Sequence, residues 1–242
     1  MPRKSAEAAQ QRPTREIFTE SARECCKNAK RLLSDAVMVE FEKPKSTYYF
    51  LAMIAQEETA KAFLLYLVSI EAIPWTPFLL RATCDHKCKH LVGIVLDYLA
   101  PDFDKWMAEM ELRIKQKLPP TFPKPVADAL NILYHEKIRK WERSNWFWAE
   151  DPVYDKATLK IAEGGRDKAK QQGLYVDLGR SGQVSSSPDH ITEAQADAEF
   201  QTAERYLRCV TGIIDRENQP RDLEEIARLF KALFNGNVFI ES

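Results

Sequence analysis

The sequence predicts an all-α protein, a single-domain bundle of about seven amphipathic helices. Three observations carry this reading. Eight glycines in 242 residues are too few for the tight turns of an all-β chain. Apolar residues recur at three- and four-residue steps through most of the chain, which is the spacing of one helix face. Helix-start signals punctuate the pattern: Thr76-Pro77 places a cap before a first-turn proline, and Thr192 with Gln195 forms a capping box. The length suits one hydrophobic core.

The elements follow in order. Residues 1–13 are polar, with two prolines and no periodicity, and are expected to be a disordered tail, leaving 14–242 as the domain. Phe18, Ala22, Cys25, Cys26, Ala29, Leu32, Leu33 and Ala36 define a first helix, with Glu20, Arg23, Lys27 and Lys30 on its other side. Pro44 ends it, and a second helix is expected from about Lys45 to Ile70. A third runs from the Thr76 cap to about Leu99, and a shorter fourth covers Asp102 to Lys117. Pro119, Pro120, Pro123 and Pro125 make a stiff connection to a fifth, about Val126 to Trp148. Ala157 to Gln172 reads as a helix interrupted at Gly164-Gly165, and Gly173 to His190 as a loop in which Leu174-Tyr175-Val176 is briefly extended. The Thr192 box opens a helix with Ala203, Tyr206, Leu207, Val210, Ile213 and Ile214 on one face. Pro220 starts the last helix, with Leu223, Ile226, Leu229, Phe230 and Leu233 inward.

Composition bounds the function. A net charge of -1 excludes global attraction to nucleic acid, so any such binding needs a local basic patch. An odd cysteine count and a polar beginning, Met1-Pro2-Arg3-Lys4, lead to the expectation of reduced thiols in a cytoplasmic protein. Tyr48 to Ile70 is apolar and as long as a membrane span, but Glu57, Glu58 and Lys61 stand at its centre, where charges are most costly in a bilayer. A buried core helix, with no membrane, is the expectation.

Chemistry concentrates on two helices. On the second, Phe50, Ile54, Glu57, Lys61, Leu64 and Val68 share one face, so a Glu-to-Lys pair at i, i+4 sits in an apolar stripe flanked by Glu58. Charges there must pair or line a wet cleft. A buried ion pair fixing helix register and a polar site in a helical core both satisfy that need. On the third, Leu80, Cys84, Cys88, Leu91 and Val95 make an apolar face, and His86, Lys89 and His90 fall on the opposite, polar side with Gly93 and Asp97. That side reads as a solvated surface or, through its i, i+4 histidines, as half of a metal site. Arg81 and His86 have an Arg-x4-His spacing but project about 140° apart on one ideal helix. Lys137-Ile138-Arg139-Lys140 and Arg166-Asp167-Lys168-Ala169-Lys170 are basic clusters, the first close to Trp141, Trp146, Phe147 and Trp148. These aromatics could stack bases, although helix-end aromatics more often fill core or interface. The sequence contains no phosphate-binding glycine loop and no Gly-x-Ser-x-Gly elbow.

The run Phe50-Leu51-Ala52-Met53-Ile54-Ala55-Gln56-Glu57-Glu58-Thr59-Ala60-Lys61-Ala62 resembles the "A-x-L-A-x-x-A-x-E-E-x-x-K-A" helix of the AbiV abortive-infection family, part of the HEPN superfamily. His86-Lys87-Cys88-Lys89 is similar to its "H-K-x-K" segment. Gly173-Leu174-Tyr175-Val176-Asp177 with Ser187-Pro188 is similar to its "G-L-Y-V-D … S-P" stretch. The motifs keep the family's order from about residue 20 to 215, and the Thr192–Ala203 helix follows them.

The resemblance implies a HEPN-like helical fold and a role in bacterial defence against phage, in which an infected cell halts growth or translation. It implies a homodimer, and a metal-independent ribonuclease in which an Arg-x4-6-His motif acts in a cleft between subunits and the ribose 2′-hydroxyl attacks the adjacent phosphate. Carried onto this chain, His86 becomes the acid or base, Lys61 and Lys89 hold phosphate, and Glu57 or Glu58 orients a cation or His86. Arg81 takes the motif arginine, though without the usual polar residue after it and in an earlier helix than usual. Lys87, Arg166, Lys170 and Tyr175 are the candidates for RNA contact. No cofactor or metal is implied, and a phage-encoded protein is a candidate activator. Two other readings compete. One is a non-catalytic module that binds a phage protein, nucleotide or RNA and inhibits translation by occupancy. The other is a metal-dependent hydrolase built on Glu57, Glu58, His86 and His90.

Overall fold

The second predicted helix sets the architecture. In a computed structural model, which describes residues 13–116, 122–142, 152–236 and 238–241, this helix is α2 (Ser46–Ser69). It is buried around most of its circumference, from Tyr48, Ala52 and Met53 through Phe63, Leu64 and Leu67. A helix apolar on all sides must be covered on all sides, and its neighbours do this.

α1 (Arg15–Met38) lies antiparallel to α2. Arg15 pairs with Glu71 at one end, Asn28 donates to Glu58 at 3.2 Å in the middle, and Ala36 packs near Tyr48 and Tyr49 at the other end. The small residues Ala29 and Ala55, both fully buried, share one cluster in that seam. α10 (Glu193–Asp215) closes the third side of the hairpin. Its contacts run from Lys45–Asp197 (3.0 Å), through Tyr48 stacked on Phe200 (4.9 Å between centroids), to Arg23–Asp215 (3.2 Å). The expected capping box is present: Thr192 Oγ1 accepts from the Gln195 amide at 3.2 Å, and Gln195 Oε1 accepts from the Thr192 amide at 3.0 Å.

The third predicted helix is two. α3 (Pro77–Cys84) starts as expected, with Thr76 Oγ1 accepting from the Leu79 amide at 3.0 Å. At Asp85 the backbone is extended (φ -77°, ψ 123°), and its carboxylate accepts from the Cys88 amide at 2.9 Å, capping a new helix, α4 (His86–Leu99). The break rotates α4 relative to the single-helix reading. Leu80 and Cys84, expected in the core, are exposed; Cys88 stays buried; Lys89 and His90, expected on a solvated face, are 7% and 4% exposed. All five cysteines are free thiols.

α5 (Phe103–Gln116) follows. α6 (Lys124–Asn131) continues through a π-helical stretch, Ile132–Ile138, into the single turn α7 (Arg139–Trp141). Asn131, fully buried in this run, clamps the end of the chain: its side chain donates to the Ile240 carbonyl and accepts from the Ile240 amide, each at 2.9 Å. α8 (Lys156–Ala162) is tied to α6 by Asp128, whose carboxylate accepts from the Asp155 amide at 2.6 Å. Gly164 at φ 102° separates α8 from α9 (Gly165–Gln172). The extended segment falls later than predicted: β1 (Asp177–Leu178) pairs antiparallel with β2 (Val184–Ser186), and Leu174-Tyr175-Val176 precedes it. α11 (Leu223–Gly236) buries Leu223, Ile226, Phe230 and Leu233, with Leu229 only partly covered.

The all-helical fold class is as the sequence predicts. The segment count exceeds seven because Asp85, the π-helical stretch Ile132–Ile138 and Gly164 each divide one predicted helix. Among the described residues no helix is long and apolar enough to cross a membrane. The expected tail except Pro13, together with Pro119, Pro120 and the Trp146-Phe147-Trp148 run, lies outside the described residues.

Candidate functional site

The site is built around one buried carboxylate. Glu57, at the middle of α2, is 2% exposed. Its neighbours come from α4 and α9, both delivered by the helix breaks at Asp85 and Gly164. Lys89 Nζ lies 2.8 Å from Glu57 Oε2, and His86 Nδ1 lies 2.6 Å from the same oxygen. Lys170 Nζ lies 2.7 Å from Oε1, 2.8 Å from Asp167 Oδ1 and 3.0 Å from His86 Nδ1. His90 Nε2 stands 3.4 Å from Glu57 Oε1 and makes no hydrogen bond.

Burial pushes the Glu57 carboxyl up, but the Lys89 and Lys170 ammoniums outweigh it and hold the pKa at about 2. Glu57 is therefore ionised at neutral pH and can only accept. A ring nitrogen 2.6 Å from it must carry the proton, which fixes His86 as the Nδ1–H tautomer. The other ring nitrogen, Nε2, is left for solvent or a ligand, and the side chain is 48% exposed. His90 is the opposite case. Burial lowers its pKa to about 4 despite the nearby Glu57 charge, so it is neutral at physiological pH.

A second polar network adjoins the first. Arg166 Nη2 donates to Gln56 Oε1 at 2.9 Å and to Glu199 Oε2 at 2.6 Å, and Gln56 Nε2 donates to Glu199 at 2.8 Å. This links α2, α9 and α10. A cavity of about 290 Å³ opens beside it, lined by Tyr49, Met53, Ile161, Arg166 and Glu199 among others. A smaller space of about 30 Å³ reaches Lys89, His90, Asp97 and Tyr206, enough for a water molecule.

The structure thus gathers Glu57, His86, Lys89 and Lys170 from the predicted set and places the others apart from them. Lys61 does not pair with Glu57: its ammonium is 2.7 Å from Glu58 Oε1, and both turn toward α1, where Asn28 meets the other Glu58 oxygen. Glu57 has no free oxygen to offer Lys61, because α4 and α9 occupy both. Arg81 ends on α3, its guanidinium 4.3 Å over the Trp141 ring, so the Arg-x4-His spacing does not form a joint site with His86. Lys170, placed with the RNA contacts by sequence, has its side chain 5% exposed and turned to Glu57. Arg166, in the same group, is engaged by Gln56 and Glu199. The Lys87 side chain lies over Gly164, where an added Cβ would come within 2.9 Å of its Cε. Tyr175 is exposed before the hairpin.

Sequence reasoning missed Asp167, Gln56 and Glu199. Gln56 immediately precedes the matched Glu57-Glu58 pair, which is the one signal that could have drawn it in. Nothing local marks Asp167 and Glu199, which join only through packing. Glu57, His86 and Asp167 offer ligand atoms within 4.8 Å of one another, so these residues could hold a cation.

Comparison with known proteins gives one match. The HEPN_AbiV family model, described as AbiV, fits residues 18–208, a span containing most of α1, all of α2, the Glu57 cluster, the β1–β2 hairpin and most of α10. No curated protein and no solved structure matches.

Proposed function

We propose that this chain, which belongs to the AbiV family of HEPN-type proteins, is an abortive-infection effector that cuts RNA without a metal cofactor, with His86 as its acid–base group. The observation that carries the reading is the half-exposed His86 ring, pinned through Nδ1 to a buried ionised carboxylate. That contact fixes tautomer and orientation and supports positive charge on the ring when Nε2 takes a proton. Attack of a ribose 2′-hydroxyl on its adjacent phosphate needs such a base, and the departing 5′-oxygen needs an acid. Lys89 and Lys170 act through Glu57, keeping it ionised, rather than by touching phosphate. In this reading the protein is cytoplasmic, works as a homodimer and meets RNA at the His86 face; a phage-encoded protein is the candidate trigger.

The committed lysines favour a second reading. Both ammoniums nearest His86 are neutralised by Glu57 and Asp167, which leaves little positive charge to stabilise a transition state. A module that blocks translation by occupancy needs none. RNA cleavage by purified protein, with chelator, before and after addition of lysate from phage-infected cells, separates the two. The expected result is fragments from wild type and a drop of about 10²- to 10⁴-fold in His86→Ala with unchanged helicity. Intact RNA throughout, from a protein that still protects cells, replaces the nuclease by the binding module.

A further inference from the structure

The Lys170 ammonium stands among Glu57, His86 and Asp167, whose ligand atoms lie within 4.8 Å of one another. Three atoms of ligand type surround the ammonium: Glu57 Oε1 at 2.7 Å, Asp167 Oδ1 at 2.8 Å and, carrying a proton in this state, His86 Nδ1 at 3.0 Å. Two carboxylates and an imidazole are a ligand set for a divalent transition ion. The ammonium satisfies it imperfectly. Asp167 Oδ1 is buried and receives no aligned hydrogen bond, although Lys170 Nζ is near, and His90 Nε2, whose side chain is 2% exposed, points at Glu57 Oε1 from 3.4 Å with no hydrogen bond of its own. Two buried polar atoms without hydrogen bonds beside one carboxylate are unusual; Asp167 Oδ1 belongs to the ligand set, and His90 Nε2 is aimed at the Glu57 oxygen of that set.

We propose that a divalent transition-metal ion binds at Glu57, His86 and Asp167 by displacing the Lys170 ammonium, and that Lys170 is the built-in competitor that keeps the affinity low. Access comes from the His86 side, where the imidazole is 48% exposed. The ion takes the Nδ1 lone pair, and the Nδ1 proton leaves to solvent. Lys170 swings out on α9, a helix bounded by Gly164 and Gly173. Charge explains the weakness: the site is balanced by two carboxylates and two ammoniums, and replacing one ammonium by a divalent ion leaves a net gain of one positive charge. An ion bound there takes Glu57 from His86, so on the ribonuclease reading above it is an inhibitor; the binding site itself does not depend on that reading.

Mn²⁺ tests this, because the free thiols of the chain compete poorly for it. Unbound Mn²⁺ is counted by electron paramagnetic resonance during titration of the full chain. Wild type is expected to bind one ion, Lys170→Met to bind it at least tenfold more tightly, and Asp167→Asn to weaken binding at least tenfold in either background. A wild-type chain that binds no Mn²⁺ overturns the proposal, as does binding that is indifferent to Asp167→Asn or no tighter in Lys170→Met. If Lys170→Met does not fold, wild type against Asp167→Asn alone decides. Mn²⁺ binding by a chain that never cuts RNA leaves this inference standing and removes the ribonuclease. Cleavage by a chain that binds no Mn²⁺ does the reverse.

Discussion

Glu57 and His90 sit side by side on facing helices, yet their environments drive them to opposite charge states. Glu57 is kept ionised by two ammoniums, with its pKa at about 2; His90 is kept neutral by burial, at about 4. Both values lie below those of the unfolded chain, about 4.3 for Glu and 6.5 for His. Between the folded and unfolded values the unfolded state binds more protons, so stability is lost as pH falls. For His90 the loss begins near pH 6.5 and completes near 4. For Glu57 it begins near pH 4.5 and completes near 2. The His90 contribution is on the order of 3 kcal/mol. Urea unfolding followed from pH 7.5 to 4 is therefore expected to show falling stability, and His90→Phe to reduce the loss in that upper window, leaving the share of His135, whose pKa burial also lowers, and the loss below pH 4.5. A wild-type profile flat from pH 7 to 4.5 would contradict the neutral buried His90. The sequence showed that Glu57 must have partners; the family resemblance offered His86 as one that Glu57 or Glu58 orients, and gave Lys89 to phosphate instead of to Glu57. Sequence spacing misassigned Lys61, since positions 57 and 58 project to different neighbours and a lysine four residues on can reach either.

At the scale of the element, the site depends on two interruptions of helix. The Asp85 break was not legible, because Asp in mid-pattern is tolerated and the apolar spacing of Leu80, Cys84 and Cys88 continues across it. What the period could not convey is that the Asp85 carboxylate caps the Cys88 amide and starts the helix afresh. The second break was legible as Gly164-Gly165, and the structure gives its reason. Gly164 has φ 102°, a conformation that costs other residues, and a Cβ there would meet Lys87 Cε at 2.9 Å. Gly164→Ala is expected to destabilise the fold by about 1–2 kcal/mol and to tilt α9, which carries Arg166, Asp167 and Lys170. Two measurements check it: a lower thermal midpoint, and a shift of the His86 ring resonances as Lys170 withdraws from Nδ1. An unchanged His86 spectrum in a destabilised protein would mean that α9 is held by Arg166 and Glu199, independently of the turn.

The whole chain contains four histidines, and their placement constrains how it could cut RNA. His90 and His135 are buried, each with its pKa lowered by burial, and His190 is held in a surface turn by the Ser187 amide. Two imidazoles are therefore oriented and open, and of these His86 alone is hydrogen-bonded to a buried carboxylate, whereas His190 accepts from a backbone amide. Cleavage through the 2′-hydroxyl requires proton removal there and proton delivery at the 5′-oxygen. A single ring can do both only in successive steps, whereas two subunits facing one RNA strand supply a base and an acid together. On the proposed homodimer, the His86 residues of both copies then belong to one cleft, and loss of either disables it. Mixing wild type with His86→Ala and letting subunits exchange tests this through the shape of the activity curve. If both rings serve one cleft, activity follows the square of the wild-type fraction, and an equal mixture retains about a quarter of the wild-type rate. If each subunit acts alone, the same mixture retains about half. A linear curve would place the second proton transfer on a water or on a group other than His86, and the cleft between subunits would lose its catalytic rationale.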